Sequence, residues 1–361
     1  MFTRELNAFP RGPESLHGKL VELDELLNQH GSAEAEPELD PIEQAVGEIL
    51  RLRDEGLERS EDLSVLVARC LLTWAPGLEK HWVDLRQRVY GDALETLESV
   101  GDGPRMDRAQ ARLGLADVAL RRKDPGAAEE HAIRALELLD EAGGELVNDR
   151  VEAQVSLAQS LVDQGLLTEA EAVVGKVWKP WFERLGGYAG SEELLGAVAD
   201  LYAARGRPEA AGAYLERVLD AGPGGQLVGE ALEAAAWHVV ASDGHGDSLY
   251  GRALQVVEEL HELSAEPVGS ELERILGAAQ LRTGDYAAAL ASLERAGKSR
   301  KSPSAELQAL HAMALHHLGM SAGAREMLNR AQGSERINLR GGVSQRLLEE
   351  AERLLLESSS G

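Results

Sequence analysis

Small and apolar residues recur along most of this chain at helical spacing, in paired runs separated by short turns. One pair reads Ile275-Leu276-Gly277-Ala278-Ala279 and Leu281, a turn at Thr283-Gly284-Asp285, then Tyr286, Ala289-Leu290, Leu293 and Ala296. Steps of three and four residues put such positions on one face of a helix, so each pair predicts a helix, a tight turn and a second helix. The pattern repeats with Ala312, Leu315, Leu318-Gly319, Ala324, Leu328 and Ala331. Upstream copies run through Val198-Ala199, Tyr202, Gly206-Arg207-Pro208, Ala211 and Leu215, and through Leu157-Ala158, Leu161, Gly165, Ala170 and Val174. An earlier copy holds Leu115-Ala116, Leu120, Lys123-Asp124-Pro125, Ala128 and Ala132, and a degenerate one surrounds Trp237, Ala253-Leu254 and Val257.

The turn residues have physical reasons. Gly165, Gly206, Gly284 and Gly319 stand where a helix C-terminus needs a positive φ, and Pro125 and Pro208 suit the first turn of the next helix. Gly277, Ala199, Ala158 and Ala116 are small where the two helices of a unit should cross, facing Ala289, Ala211, Ala170 and Ala128. Removing bulk at a crossing lets the backbones approach and the flanking Leu and Val rows bury.

The stretch from Leu276 to Ala296 resembles the tetratricopeptide repeat (TPR) consensus, and the resemblance extends over about residues 105–335. It implies an all-α protein, a right-handed α-solenoid of TPR-like hairpins with an N-terminal helical extension and a C-terminal capping helix. The expected division is residues 1–100 for the extension, 101–335 for the repeat array and 336–361 for the capping helix and a frayed tail. The period is uneven: 42 residues from Lys123 to Gly165, 41 from Gly165 to Gly206, and 35 from Gly284 to Gly319. The longer units resemble those of bacterial TPR-like proteins. Trp178, Pro180, Trp181 and Phe182 lie in one extension, where proline should stop or kink the helix near Lys179. Toward the N-terminus, residues 15–30 and 41–57 read as amphipathic helices around an acidic loop, with a divergent helical pair over 61–74 and 79–99.

Charge and composition narrow the function. Asp and Glu number 62 against 37 Lys and Arg, for a formal charge of -25, so the surface repels nucleic-acid phosphates and anionic lipid. Aromatic residues are only 4%, which suits close-packed helices better than sheets. A single cysteine, Cys70, excludes a disulfide framework and reads as a small buried hydrophobe. The chain has no apolar leader after Met1 and no run long enough to span a bilayer, from which a cytoplasmic location is expected.

Reactive constellations do not emerge. Lys298-Ser299 lacks the glycine spacing of a phosphate loop, and His261-Glu262 lacks the second histidine of a zinc-protease helix. His311 shares a helical face with neither His316 nor His317. The Asp243-Gly244-His245-Gly246-Asp247 stretch reads as a solvated turn. The chain is therefore expected to be no enzyme, and to use no cofactor or metal.

The resemblance also implies which positions face a partner, because the first helix of each TPR unit lines the concave side. These are Gln110, Asp117 and Arg121; Glu152, Gln159 and Asp163; Glu193 and Asp200; His238 and Ser242; Glu271 and Arg274; and Glu306, Met313, His316 and His317. Asp117, Glu152 and Asp200 are expected to be exposed there. The basic residues and asparagines that grip a peptide carboxylate in well-known TPR grooves are replaced by Val155, Gln159, Gly196 and Asp200, so that mode is not expected. An acidic groove suits a basic protein segment. The expected function is a non-catalytic scaffold or adaptor for another protein or peptide, with no direct contact to nucleic acid or membrane and a hetero-complex compatible with it. The alternative is a regulatory or inhibitory subunit masking an effector (a peptidase, kinase or nucleic-acid-binding protein) in a bacterial signalling or defence system.

Overall fold

The computed structural model describes residues 83–101, 104–143, 147–184, 191–223, 229–264, 269–298, 303–333 and 343–357, with scattered positions between 47 and 75. The expected helix over 15–30, most of that over 41–57, the acidic loop between them, Cys70 and the tail after residue 357 lie outside the described residues. Among the described residues every regular element is a helix and there is no strand. Contacts divide the chain into two compact units, Met1–Ser160 and Leu161–Gly361.

In the first unit α1 (Val83–Ser99), α2 (Arg105–Arg121), α3 (Pro125–Ala142) and most of α4 (Val147–Asp163) are described. Asp124 caps α3 by accepting a hydrogen bond from the Ala127 amide at 3.1 Å, and Pro125 follows at the first helical position. The turn before it carries Lys123 at φ 58°, the left-handed conformation that glycine supplies in the later units. Ala109, Leu113, Ala135, Leu139 and Ala153 close the core between α2, α3 and α4. The Tyr90 ring lies against Gly114, whose missing side chain leaves that space.

The second unit begins with the end of α4 and α5 (Leu167–Arg184). Hairpins follow: α6 (Ser191–Ala204) with α7 (Pro208–Ala221), α8 (Gly229–Val240) with α9 (Asp247–Leu263), α10 (Ser270–Arg282) with α11 (Tyr286–Lys298), and α12 (Ala305–His317) with α13 (Ser321–Gln332). The last helix is α14 (Val343–Glu357). The turn glycines have the expected positive φ, 76° at Gly165, 66° at Gly206, 89° at Gly284 and 76° at Gly319. At the α10–α11 crossing, a Cβ on Gly277 would stand 2.7 Å from Leu293 Cγ and 3.2 Å from the Ala289 carbonyl, so the crossing admits glycine alone without a shift. Ala199, Ala211 and Ala170 are likewise buried.

Successive first helices α6, α8, α10 and α12 touch side by side in one row, with denser contact from α6 to α10 than the second helices α7 and α9 make with each other. This first-helix row is the layer that the repeat resemblance places on the inner face. Arginines tie each layer to the next through helix-end carbonyls. Arg252 on α9 donates to the Leu219 carbonyl of α7 at 3.1 Å, and Arg282 on α10 donates to the Val240 carbonyl of α8 at 2.7 Å. Such carbonyls lack a partner within their own helix.

Proline does not end α5 as its sequence suggests. The helix runs through Pro180 to Arg184. Trp181 is fully buried and Trp178 stacks edge-on against Tyr214 at 4.8 Å, with Phe182 parallel to Trp178 at 5.8 Å. Burying large aromatic side chains on both sides of the proline contributes more than the ~3 kcal/mol that an interior proline costs.

Candidate protein-binding face

The inner row of the second unit carries a chain of charged side chains. Arg274 on α10 is buried at 6% exposure, its guanidinium 3.4 Å from the centroid of Trp237 on α8. It also pairs with Glu271 on its own helix and with Glu306 on α12 at 3.2 Å. The flat, weakly hydrated guanidinium satisfies an aromatic face and two carboxylates at once, which a lysine could not do.

Helix α14 lies along this row. Arg346 donates to Asp200 on α6 at 2.9 Å. Glu350 accepts two bonds from Arg282 on α10, at 2.5 and 2.7 Å, with both side chains only 10% exposed. Arg353 pairs with Asp243 in the α8–α9 turn at 2.7 Å, and the Ser344 hydroxyl donates to Glu306 on α12 at 2.5 Å. Leu347, Leu348, Ala351 and Leu355 supply the buried side of the helix. It therefore reaches side chains of α6, α10, α12 and the α8–α9 turn, besides packing on α12 and α13.

His238 sits at the centre of this arrangement. It is 5% exposed, and no side chain of α14 hydrogen-bonds its ring, whose polar contact is with the Glu192 backbone. Burial lowers its pKa to about 4, against the opposing pull of Asp200; Arg346 and Arg274 add to the lowering. The ring is therefore neutral at pH 7. Nε and Nη2 of Arg346 are buried without a partner.

The turn from α8 to α9 is held by one hydroxyl. Tyr250 donates to the Ser242 carbonyl at 2.7 Å and accepts from the Gly244 and His245 amides at 3.3 Å each. This stretch, read from sequence as a solvated turn, is anchored at its middle, with His245 buried and Asp243 engaged by Arg353.

The positions expected to face a partner divide into two sets. In the second unit, Asp200, His238, Glu271, Arg274 and Glu306 come together around α14, joined by Ser242, whose hydroxyl donates to the His238 carbonyl at 3.1 Å. Met313 is buried in the core at 1% exposure. His317 stacks on Tyr286 of α11 at 4.3 Å, His316 is half-buried, and Asp163 and Glu193 are exposed. In the first unit, Gln110 and Glu152 are exposed and Gln159 half-buried, whereas Asp117 is gripped by Arg121 at 2.8 Å and by the buried Arg86 at 3.0 Å. The expected exposure of Asp117 and Asp200 is thus corrected: both are half-buried and neutralised by arginines. Carboxylates so enclosed need a counter-charge, because burial alone disfavours them.

Residues absent from the sequence reading are those of α14: Ser344, Arg346, Glu350 and Arg353. The signal present was the apolar stripe of this helix at Leu347, Leu348, Ala351 and Leu355. A polar cavity of about 280 Å³ in the first unit is lined by Glu98, Arg108, Arg112, Arg134, Glu137, Leu138 and Glu141, with Arg112 paired to Glu98 and Arg134 to Glu137. Among the described residues, no three His, Cys, Asp or Glu side chains converge as a metal site would require, and no helix is long and apolar enough to cross a membrane.

These features define an all-α protein built of TPR-like hairpins. No protein-family model matches the chain, and no curated protein matches it. Solved structures similar to it include a tetratricopeptide repeat protein from Parabacteroides merdae ATCC 43184, 13% identical, covering 80% of this chain and 98% of that one with a TM-score of 0.48. A Rap protein complexed with competence and sporulation factor is 16% identical over 95% of this chain and 87% of that one, with a TM-score of 0.45. The APC/C hetero-tetramer Cut9–Hcn1 gives 15% identity, 96% and 58% coverage, and a TM-score of 0.44.

Proposed function

We propose that this protein is a non-catalytic interaction module that holds a segment of another protein on the inner face of its hairpins. The observation that carries this reading is the row of charged and aromatic side chains on α6, α8, α10 and α12, laid against a helix by side-chain contacts spread over several hairpins. A stack of hairpins offers an extended surface whose curvature adjusts by small changes between neighbours, which suits a long ligand better than a small one. The inner acids are already matched by arginines, so a partner gains affinity from placed arginines and an apolar stripe, not from general positive charge.

The test is photo-cross-linking in native lysate, with the cross-linker at Glu193 on α6 or, as the outer control, at Glu216 on α7. Both positions are exposed. A defined protein adduct from the inner position, lost when unlabelled chain competes, is the expected result. Equal labelling from both positions, or none from either, counts against the reading.

A further inference from the structure

We infer that the partner of the second unit is an amphipathic α-helix of the same chemistry as α14, and that α14 is the resident occupant which this partner displaces. The inference rests on the reading of the inner face as a protein-binding surface and names what binds there. A helix in a groove is recognised by an apolar stripe at steps of three and four residues, with charged flanks fixing its register. Leu347, Leu348, Ala351 and Leu355 form that stripe, and all four are buried. The register is set by Arg346 on Asp200, Glu350 on Arg282 and Arg353 on Asp243. These three acceptors or donors belong to three different hairpins, so the inner row reads a helix along its length.

The fit of α14 is incomplete at one place. Nε and Nη2 of Arg346 are buried without acceptors, and beside them His238 is buried with no hydrogen bond from α14. Each buried polar atom left unmatched weakens the complex that contains it. A partner helix with the same apolar stripe and a cation over Asp200, but with an amide or hydroxyl side chain reaching His238, satisfies what α14 leaves open. The occupant is thus a helix with leucines on one face, an arginine or lysine on one flank and a carboxylate one turn further on. It is not a peptide of high positive charge: α14 itself carries Arg346 and Arg353 against Glu349, Glu350, Glu352 and Glu357.

The probe is a fluorescein-labelled peptide with the sequence of residues 343–357, titrated into the full-length chain and followed by anisotropy. The Arg346→Glu chain, whose own α14 is weakened while its inner row is intact, should bind the peptide at least ten-fold more tightly than the unaltered chain. Arg353→Glu, at an exposed ion pair, provides a second loosened chain whose folding is not in question, and circular dichroism checks both. Adding Asp200→Lys to the Arg353→Glu chain, where it opposes the resident Arg346 as well, should abolish binding of the unaltered peptide, and a peptide with glutamate at the Arg346 position should restore it. In the unaltered chain, excess peptide should raise amide hydrogen exchange in α14 and nowhere else in the second unit. Equal binding by loosened and unaltered chains, or equal binding of a scrambled peptide of the same composition, overturns the inference. If the peptide fails while inner-face cross-links to a partner persist, the binding face stands and its helical ligand falls.

Discussion

Arg346 on the last helix and Asp200 on α6 are 146 positions apart in sequence and 2.9 Å apart in space. Their side chains are only 25% and 23% exposed, so either one left alone would be a poorly solvated charge. Arg346→Ala and Asp200→Ala should each lower stability by roughly 1–3 kcal/mol. The double variant should cost less than the sum, with a coupling of about 1 kcal/mol or more, read from urea denaturation of all four chains. Strict additivity would mean that the pair does not form.

The α10–α11 crossing depends on a missing side chain. Gly277→Ala places a Cβ 2.7 Å from Leu293 and 3.2 Å from a backbone carbonyl, so the helices must separate. A loss of about 1–3 kcal/mol is expected from overpacking, despite the higher helix propensity of alanine. A thermal midpoint equal to the parent's would place this crossing elsewhere.

The turn from α8 to α9 depends on one hydroxyl. Tyr250→Phe keeps the ring but removes an acceptor for two backbone amides and a donor to the Ser242 carbonyl. A destabilisation of about 1–3 kcal/mol follows, since the buried His245 amide loses its partner. Hydrogen exchange at Gly244 and His245 should accelerate in this variant, while exchange in α12 stays unchanged.

His238 makes the packed inner face sensitive to acid. Burial holds its pKa at about 4, below the 6.5 of an unburied imidazole, while Asp200 opposes and Arg346 and Arg274 reinforce the shift. Because the packed state binds the proton less readily, its stability is full above pH 6.5 and falls as pH drops from 6.5 toward 4. Down to pH 5 the loss should reach roughly 2 kcal/mol. Replacing His238 by Gln should remove that component, so the difference between melts at pH 7.5 and pH 5 should shrink relative to the parent. An unchanged difference would show that the ring is already solvated.

The hairpins were legible in the sequence because what makes them is local. A glycine with positive φ at Gly206 or Gly284, an acid accepting from an amide three residues on at Asp124, and small residues at Gly277 and Ala289 all act between neighbours in the chain or within one hairpin. Pro180 does not stop its helix, because its cost is local, whereas what outweighs it, Trp178 against Tyr214 of a later helix, is not.

What the amino-acid order settled by itself was therefore the repeating hairpin, with a row of first helices expected to face a partner. Only the tertiary structure decided that α14 lies along that row, that Arg346 meets Asp200, and that Arg274 covers Trp237 while joining Glu271 to Glu306. Helical periodicity fixes which side of a helix is apolar, but not which distant helix will cover it. That choice follows from how the hairpins stack, a property of the whole unit, and it leaves no regular spacing in the sequence to be read.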